Sequence, residues 1–95
     1  MLIQKPLSVN DIITLKLTTG EELVAKLVEV NDSYYAVSRP LVLVIGPSGV
    51  GLQQWVLTAD PDHSIKINKN NVILCIPTIK EMSKQYLAGT SGLVV

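Results

Sequence analysis

The chain has 95 residues, of which 47% are hydrophobic and 17% are charged, and its eight basic and eight acidic residues cancel. A chain of this length forms one ordinary domain and leaves no room for a second, so we interpret residues 1–95 as a single domain. Zero net charge excludes a general attraction to nucleic acid or to anionic membranes, so such binding would require a local patch. The high apolar fraction predicts that part of the surface faces another subunit.

The apolar runs are too short for a membrane span or an export signal. The longest, 41–46, is far below the roughly 18 residues that a bilayer requires, and residues 1–10 contain a lysine and Pro6 instead of a continuous apolar stretch. We therefore expect a cytoplasmic protein with no membrane partner. Cys75 is the only cysteine, which excludes an intramolecular disulfide, and its apolar neighbours predict a buried, inert thiol.

A period of two in hydrophobicity predicts β-strands through the first half of the chain. The first strand covers 13–18, Gly20 supplies the tight turn, and the second strand covers 23–30. Turn-forming residues at 31–33 precede a third β-prone segment, 34–38, after which Pro40 limits pairing. The next segment, 41–45, is apolar at every position, which is typical of a strand covered on both faces; a neighbouring subunit could supply the second cover.

The second half continues with strands and ends with a helix. Residues 46–51 are rich in glycine and predict a hairpin loop, followed by a strand at 52–59 with Trp55 at its centre. Turn signals at 60–62 and 69–71 flank a strand around Ile65 and Ile67, and the last strand covers 72–76. Thr78 and Glu81 have the spacing of a capping box, which predicts a helix at 78–88 with Gly89 as its stop. The β core is thus 11–77, and the tail 89–95 shows no period.

Two motifs that suggest chemistry lack the residues which that chemistry requires. The segment 41–51 resembles a phosphate-binding loop, but Leu52 and Gln53 stand where a lysine and a hydroxyl residue are needed. His63 lies beside Asp60 and Asp62 in a single turn, without a second histidine to complete a metal site. We predict no enzymatic activity, no metal, no cofactor and no small-molecule substrate.

Two segments carry a family resemblance. LTTGEELVAKLVEVND at 17–32, with its hairpin glycine, alternating apolar positions and closing acid, resembles the first Sm motif of the Sm, LSm and Hfq proteins. INKNNVI at 67–73 resembles the second motif, in which Arg-Gly and an Asn precede the final strand. The GPSGVGL hairpin at 46–52 and the apolar close at 90–95 are similar to Sm-like proteins encoded by tailed phages, including cyanophages.

The resemblance implies an all-β fold, a strongly bent five-stranded antiparallel sheet that forms a small open barrel. Its fourth and fifth strands pair between neighbouring subunits, which satisfies the open edges in a closed ring of about five to seven copies. Here the fourth strand would lie within 52–68 and the fifth within 72–76. This chain carries a short C-terminal helix, whereas the family usually has its helix before the first strand. If the source is a phage, the expected location is the host cytoplasm.

The resemblance also implies a site for uridine- or adenine-rich single-stranded RNA, in which a base stacks between a first-motif side chain and the second motif's Arg. The interval from Gly20 to Asp32 is one residue longer than the family's spacing. With an inserted residue, Tyr34 stacks and Ala36 replaces the base-reading Asn; if instead Asn31 takes the acid's place, Ser33 and Tyr35 occupy these positions. The residues carried over to the RNA site are Asn31, Asp32, Tyr34, Asn68, Lys69 and Asn70.

Several residues depart from the family's site. Asn68 stands at the Arg position and Lys69 at the Gly position, so the guanidinium is missing and Lys69 offers only a point charge. Tyr34 and Tyr35 also fit simple cross-strand packing, and Trp55 fits the core or a subunit interface. Positive charge gathers in the last third of the chain, at Lys66, Lys69, Lys80 and Lys84.

Two functions follow as hypotheses. The first is a homo-oligomeric Sm-like ring that binds single-stranded RNA through a non-standard pocket. The second is a structural or scaffolding ring without RNA binding. Only the first predicts salt-sensitive binding of short RNA strands.

Overall fold

A computed structural model describes residues 7–90 of the chain. It contains six strands, a short 3-10 turn and one helix at the C-terminal end. The helix, α1, covers Lys80–Thr90. The strands are β1 (Ile12–Leu17), β2 (Glu22–Val30), β3 (Tyr34–Gly46), β4 (Gly49–Gln54), β5 (Ile65–Asn68) and β6 (Val72–Pro77), and the 3-10 turn covers Lys69–Asn71.

All neighbouring strands are antiparallel and belong to one sheet, in the order β4-β3-β2-β1-β6, with β5 also paired to β3. The long strand β3 therefore has two partners on the same side. Its first part pairs with β5, from Tyr34↔Asn68 to Val37↔Ile65, and its second part pairs with β4, from Leu41↔Gln54 to Gly46↔Gly49. The sheet is not closed, and this confirms the expected mostly β fold with a short C-terminal helix.

The core lies on one face of the sheet, because the alternating apolar residues of the first two strands all point to that side. Leu15 and Leu23 are fully buried there and face one another across the β1–β2 pair. Partly buried side chains, among them Trp55 and Cys75, pack against this cluster from the edges. The buried members are Ile13, Leu15, Leu17, Leu23, Ala25, Leu27, Val37 and Ile67.

Helix α1 lies on the other face, where Val24 points and where α1 contacts β2. Tyr86 is the buried residue of the helix, and its hydroxyl donates to the backbone carbonyls of Ser38 and Arg39 at 3.0 Å each. Arg39 has a positive φ of 49°, a strained conformation for a residue with a side chain. Its guanidinium binds the Asp62 carboxylate and the Thr90 carbonyl, which ties β3 to the β4–β5 connection and to the end of α1.

Three strand boundaries differ from the sequence-based expectation. Pro40 does not divide the third segment, because β3 runs unbroken from Tyr34 to Gly46 with Pro40 buried within it. The glycine-rich loop is shorter than expected, since β4 begins at Gly49, whose φ of 123° only glycine adopts readily. The predicted strand 52–59 ends at Gln54, so the expected fourth strand is divided into β4 and β5 and the sheet has six strands instead of five.

The helix is displaced from its predicted bounds by two residues at each end and continues through Gly89 to Thr90. The Thr78 hydroxyl bonds to the hydroxyl of Thr14 at 2.8 Å, which fastens the start of the helix to β1. The prediction of an irregular tail falls, from residue 91 onward, outside the described residues.

Candidate functional site

The two segments that carry the family resemblance meet in space at their turns. The β2–β3 turn is closed by Asn31, whose side-chain oxygen accepts from the backbone N–H groups of Ser33 at 2.9 Å and Tyr34 at 3.0 Å. Ser33 in turn accepts a backbone hydrogen bond from Lys69 at 2.9 Å. The turn between β2 and β3 is thereby joined to the turn between β5 and β6, although the two are far apart in sequence.

This junction places Tyr34 beside the second motif. Tyr34 and Asn68 are direct cross-strand partners, so their side chains lie on the same face of the sheet. Lys66, two residues before Asn68, lies on that face as well, and its Nζ atom is 5.0 Å from the centre of the Tyr34 ring. We call Tyr34, Lys66, Asn68 and Lys69 the Tyr34 surface.

Lys69 lies at the boundary between this surface and the core, with its Nζ atom 5.1 Å from the centre of the Tyr35 ring. Tyr35 itself packs against the core cluster and is next to Cys75. Burial, followed by the neighbouring Cys75, raises the pKa of Tyr35. Burial also raises the pKa of Cys75 to about 11, so the thiol is protonated at neutral pH even though it is only partly buried.

The other residues predicted for the site border the Tyr34 surface at its two turns. Asp32 is exposed in the β2–β3 turn, next to Asn31. Asn70 is exposed in the 3-10 turn, and its backbone N–H donates to the Asn68 side chain at 2.8 Å. This bond holds the Asn68 amide oxygen toward its own turn. The structure therefore gathers all six predicted residues around one junction between two turns.

Lys66 is the member of the Tyr34 surface that we did not assign to the site from the sequence. The sequence identifies Lys66 only as one of four lysines in the last third of the chain, and Lys80 and Lys84 of that group lie on α1. Strand alternation is the signal that could have identified Lys66, because residues 66 and 68 share a face of β5. The sequence does not show that Tyr34 lies beside Lys66 on this face, because the pairing of β5 with β3 depends on tertiary structure.

Two free edges of the sheet are the second functional feature. β6 pairs only with β1 at one end of the sheet, and β4 and β5 both pair only with β3 at the other, which leaves the outer edges of these three strands open among the described residues. β6 carries no charged residue, and several of its apolar side chains are exposed: Ile73 by 63%, Leu74 by 41% and Ile76 by 50%. Edge strands of monomeric proteins are normally protected by charges, prolines or bulges.

Within residues 7–90, no group of His, Cys, Asp and Glu side chains is arranged to hold a metal ion, and no helix is long and apolar enough to cross a membrane. A comparison with models of known protein families finds no match, and a comparison with curated proteins finds no similar sequence. The structure shows a mostly β protein, in which an open antiparallel sheet is followed by one helix.

Proposed function

We propose that this chain assembles through its open sheet edges into a homo-oligomeric Sm-like ring, and that it binds single-stranded RNA at the Tyr34 surface. The observation that carries the proposal is the junction of the β2–β3 and β5–β6 turns, which brings an aromatic ring, two lysines and exposed amides together. Single-stranded nucleic acids are bound by this combination, because aromatic rings stack on bases and lysines attract phosphates.

The open edges support the assembly. The strand β6 lies at one end of the sheet, and β5 lies on the opposite side, beyond β3. When β6 of one subunit pairs with β5 of the next, each subunit both donates and receives one edge, and a closed cycle pairs every β5 and β6 edge while the outer edge of β4 stays free. The exposed apolar residues of β6 would then be covered by the neighbouring subunit.

A bulge in β2 supports Tyr34 as the stacking residue. The β2–β3 pairing shifts register between Leu27 and Glu29, so that β2 contains one residue more than its partner there. This extra residue matches an insertion in the first motif, which is the alternative that assigns stacking to Tyr34. Tyr35, the residue assigned a role in the other alternative, already packs against the core.

One observation favours the second candidate, a scaffolding ring without RNA binding. The Lys66 ammonium group lies over the Tyr34 ring and thereby covers one of its faces. In addition, Asn68 offers no guanidinium plane to hold a base on the other face. A base must then stack on Tyr34 without a second planar partner, or displace Lys66.

The assembly is tested by light scattering after size exclusion, at low and high salt. We expect a discrete mass of several subunits in both, because an edge-to-edge interface of apolar strands is insensitive to screening. Ile73→Lys should shift the mass toward the monomer, since it places a charge on the proposed interface. The matched control is Leu87→Lys, which changes a residue of α1 that is 50% exposed and should leave the mass unchanged. A wild-type monomer would contradict the ring.

RNA binding is tested by fluorescence anisotropy with labelled hexamers of uridine and of adenosine. We expect affinity to fall with salt, and Lys69→Glu to weaken binding and reduce the salt dependence by about one ion. Tyr34→Ala should weaken binding several-fold at every salt concentration, because a stacked base is worth about 1–3 kcal/mol. Lys84→Glu on α1 controls for the change in net charge. If hexamers bind to none of these proteins while the ring forms, the scaffolding function is the correct one.

A further inference from the structure

A cavity of about 530 Å³ lies between the β1–β2 turn and β5, next to the Tyr34 surface. Its floor is apolar, formed by the buried Leu17 and Ile67. Trp55, which is partly buried against the core cluster, also lines the cavity. Lys66, Ile67 and Asn68 of β5 line the opposite side; Ile67 points to the core, whereas the side chains of Lys66 and Asn68 point to the face that carries Tyr34, so β5 separates the cavity from the Tyr34 surface. We call this cavity the Trp55 pocket.

The carboxylate of Glu21 is fixed at the rim of the Trp55 pocket. Its Oε2 atom accepts from the indole N–H of Trp55 at 3.0 Å, and its Oε1 atom accepts from the hydroxyl of Thr19. The hydrogen bond from Thr19, followed by that from Trp55, lowers the pKa of Glu21, so the group is ionised at neutral pH. Each carboxylate oxygen can accept more than one hydrogen bond, which leaves capacity for a ligand.

A planar wall beside a fixed carboxylate is suited to a base that carries hydrogen-bond donors. The indole provides a stacking surface, as aromatic side chains do for unpaired bases. Guanine presents two adjacent donors, its N1–H and its exocyclic amino group, which match the two oxygens of a carboxylate. Uracil presents one N–H between two carbonyl oxygens, which the carboxylate repels. The site thus discriminates by the chemistry of the base edge.

We propose that the Trp55 pocket is a second base subsite that favours guanine, next to the base stacked on Tyr34. This inference rests on the proposed RNA binding. Lys66 connects the two positions, because it covers the Tyr34 ring and also borders the pocket. Its ammonium group can neutralise the phosphate between the two bases, which offsets the repulsion between that phosphate and Glu21.

Trp55 is the only tryptophan in the chain, so its fluorescence reports on this pocket alone. The test compares hexamers of alternating uridine and guanosine, alternating uridine and adenosine, and uridine only. Anisotropy of labelled RNA measures total binding, and quenching of Trp55 fluorescence measures occupation of the pocket. We expect the guanosine-containing hexamer to bind about tenfold more tightly than the uridine hexamer and to quench Trp55 more strongly.

Glu21→Gln is the decisive variant, because glutamine keeps the size of the side chain and an oxygen for the indole N–H but loses the carboxylate. It should reduce the preference for guanosine to about twofold or less, by weakening binding of the guanosine-containing hexamer, while the affinity for the uridine hexamer stays equal or rises because the repulsion by the carboxylate is removed. A purely structural role of Glu21 would change the stability of the protein and leave the base preference as it was.

The outcomes separate this inference from the function on which it rests. Binding without quenching of Trp55, binding without a preference for guanosine, or a preference that survives Glu21→Gln would each overturn the guanine subsite and leave RNA binding at Tyr34 intact. Failure of all three hexamers to bind in the anisotropy assay would overturn both.

Discussion

At the scale of single residues, Cys75 connects the core with the solvent-facing edge of the sheet. It lies on β6, packs against the core cluster and is adjacent to Tyr35. Burial raises its pKa from the ordinary value of 9.0 to about 11. Burial also raises the pKa values of Tyr35 and Tyr86 above their ordinary value of 10.0. All three groups therefore favour their neutral forms in the folded protein.

These pKa values predict a loss of stability in alkaline solution. Well below pH 9 the Cys75 thiol is neutral in both the folded and the unfolded protein, so its full contribution to the free energy of unfolding is present. Between pH 9 and about 11 the thiol ionises in the unfolded chain but not yet in the folded protein, which favours unfolding. We expect the urea midpoint to fall between pH 8 and 10.5, and to fall less in Cys75→Ala. Because each protein is compared with itself at two pH values, the loss of stability caused by the missing side-chain packing cancels. An equal decline in both proteins would show that Cys75 does not contribute.

At the scale of elements, two glycines with open space around them should respond oppositely to the same substitution. Gly20 forms the β1–β2 turn with a φ of 103°, whereas Gly89 lies within α1 and has no positive φ. Neither position has another atom within 4 Å of an added Cβ atom, so only the backbone conformation differs. The pair separates the effect of backbone conformation from that of packing.

We expect Gly20→Ala to destabilise the protein by about 1 kcal/mol or more, because alanine rarely adopts a positive φ. Gly89→Ala should stabilise it by a few tenths to about 1 kcal/mol, through the higher helix propensity of alanine. Urea unfolding monitored by circular dichroism measures both. Stabilisation by Gly20→Ala would argue against the turn described for β1 and β2.

At the scale of the whole molecule, the β3–β4 hairpin is the largest departure from the surface of an ordinary small protein. No charged residue occurs between Pro40 and Ala59, and β3 beyond Val42 pairs only with β4. The cross-strand partners Ile45 and Val50 near its tip are 81% and 52% exposed. Together with a net charge of zero at pH 7, this hairpin favours non-specific association.

Ile45→Lys should therefore reduce association at high protein concentration. Because Ile45 is largely exposed, the unfolding free energy should change by no more than about 0.5 kcal/mol. Light scattering against concentration at pH 7 measures the effect, and Val9→Lys is the control, since Val9 is 57% exposed outside the hairpin. Equal effects of the two substitutions would indicate a response to net charge instead of to the hairpin.

Local patterns predicted most of the fold at this scale. Alternation and turn signals place β1, β2, β5 and β6 close to their observed positions, and the capping pattern predicts the C-terminal helix within two residues of each end. The prediction was wrong at β3, where Pro40 is accommodated within a continuous strand. The positive φ of Arg39 and its bonds to Asp62 and Thr90 hold the chain there, and these partners are distant in sequence.

The sequence by itself determined the type and approximate position of most elements, because hydrophobic period and turn chemistry are local properties. It also supplied the six candidate site residues, since these lie in or directly beside two short turns. Only the tertiary structure decided that β4 and β5 both pair with β3, that Lys66 covers Tyr34, and that Trp55 reaches Glu21. Such contacts join residues far apart in the chain, and their free energy depends on the burial and geometry of the whole sheet.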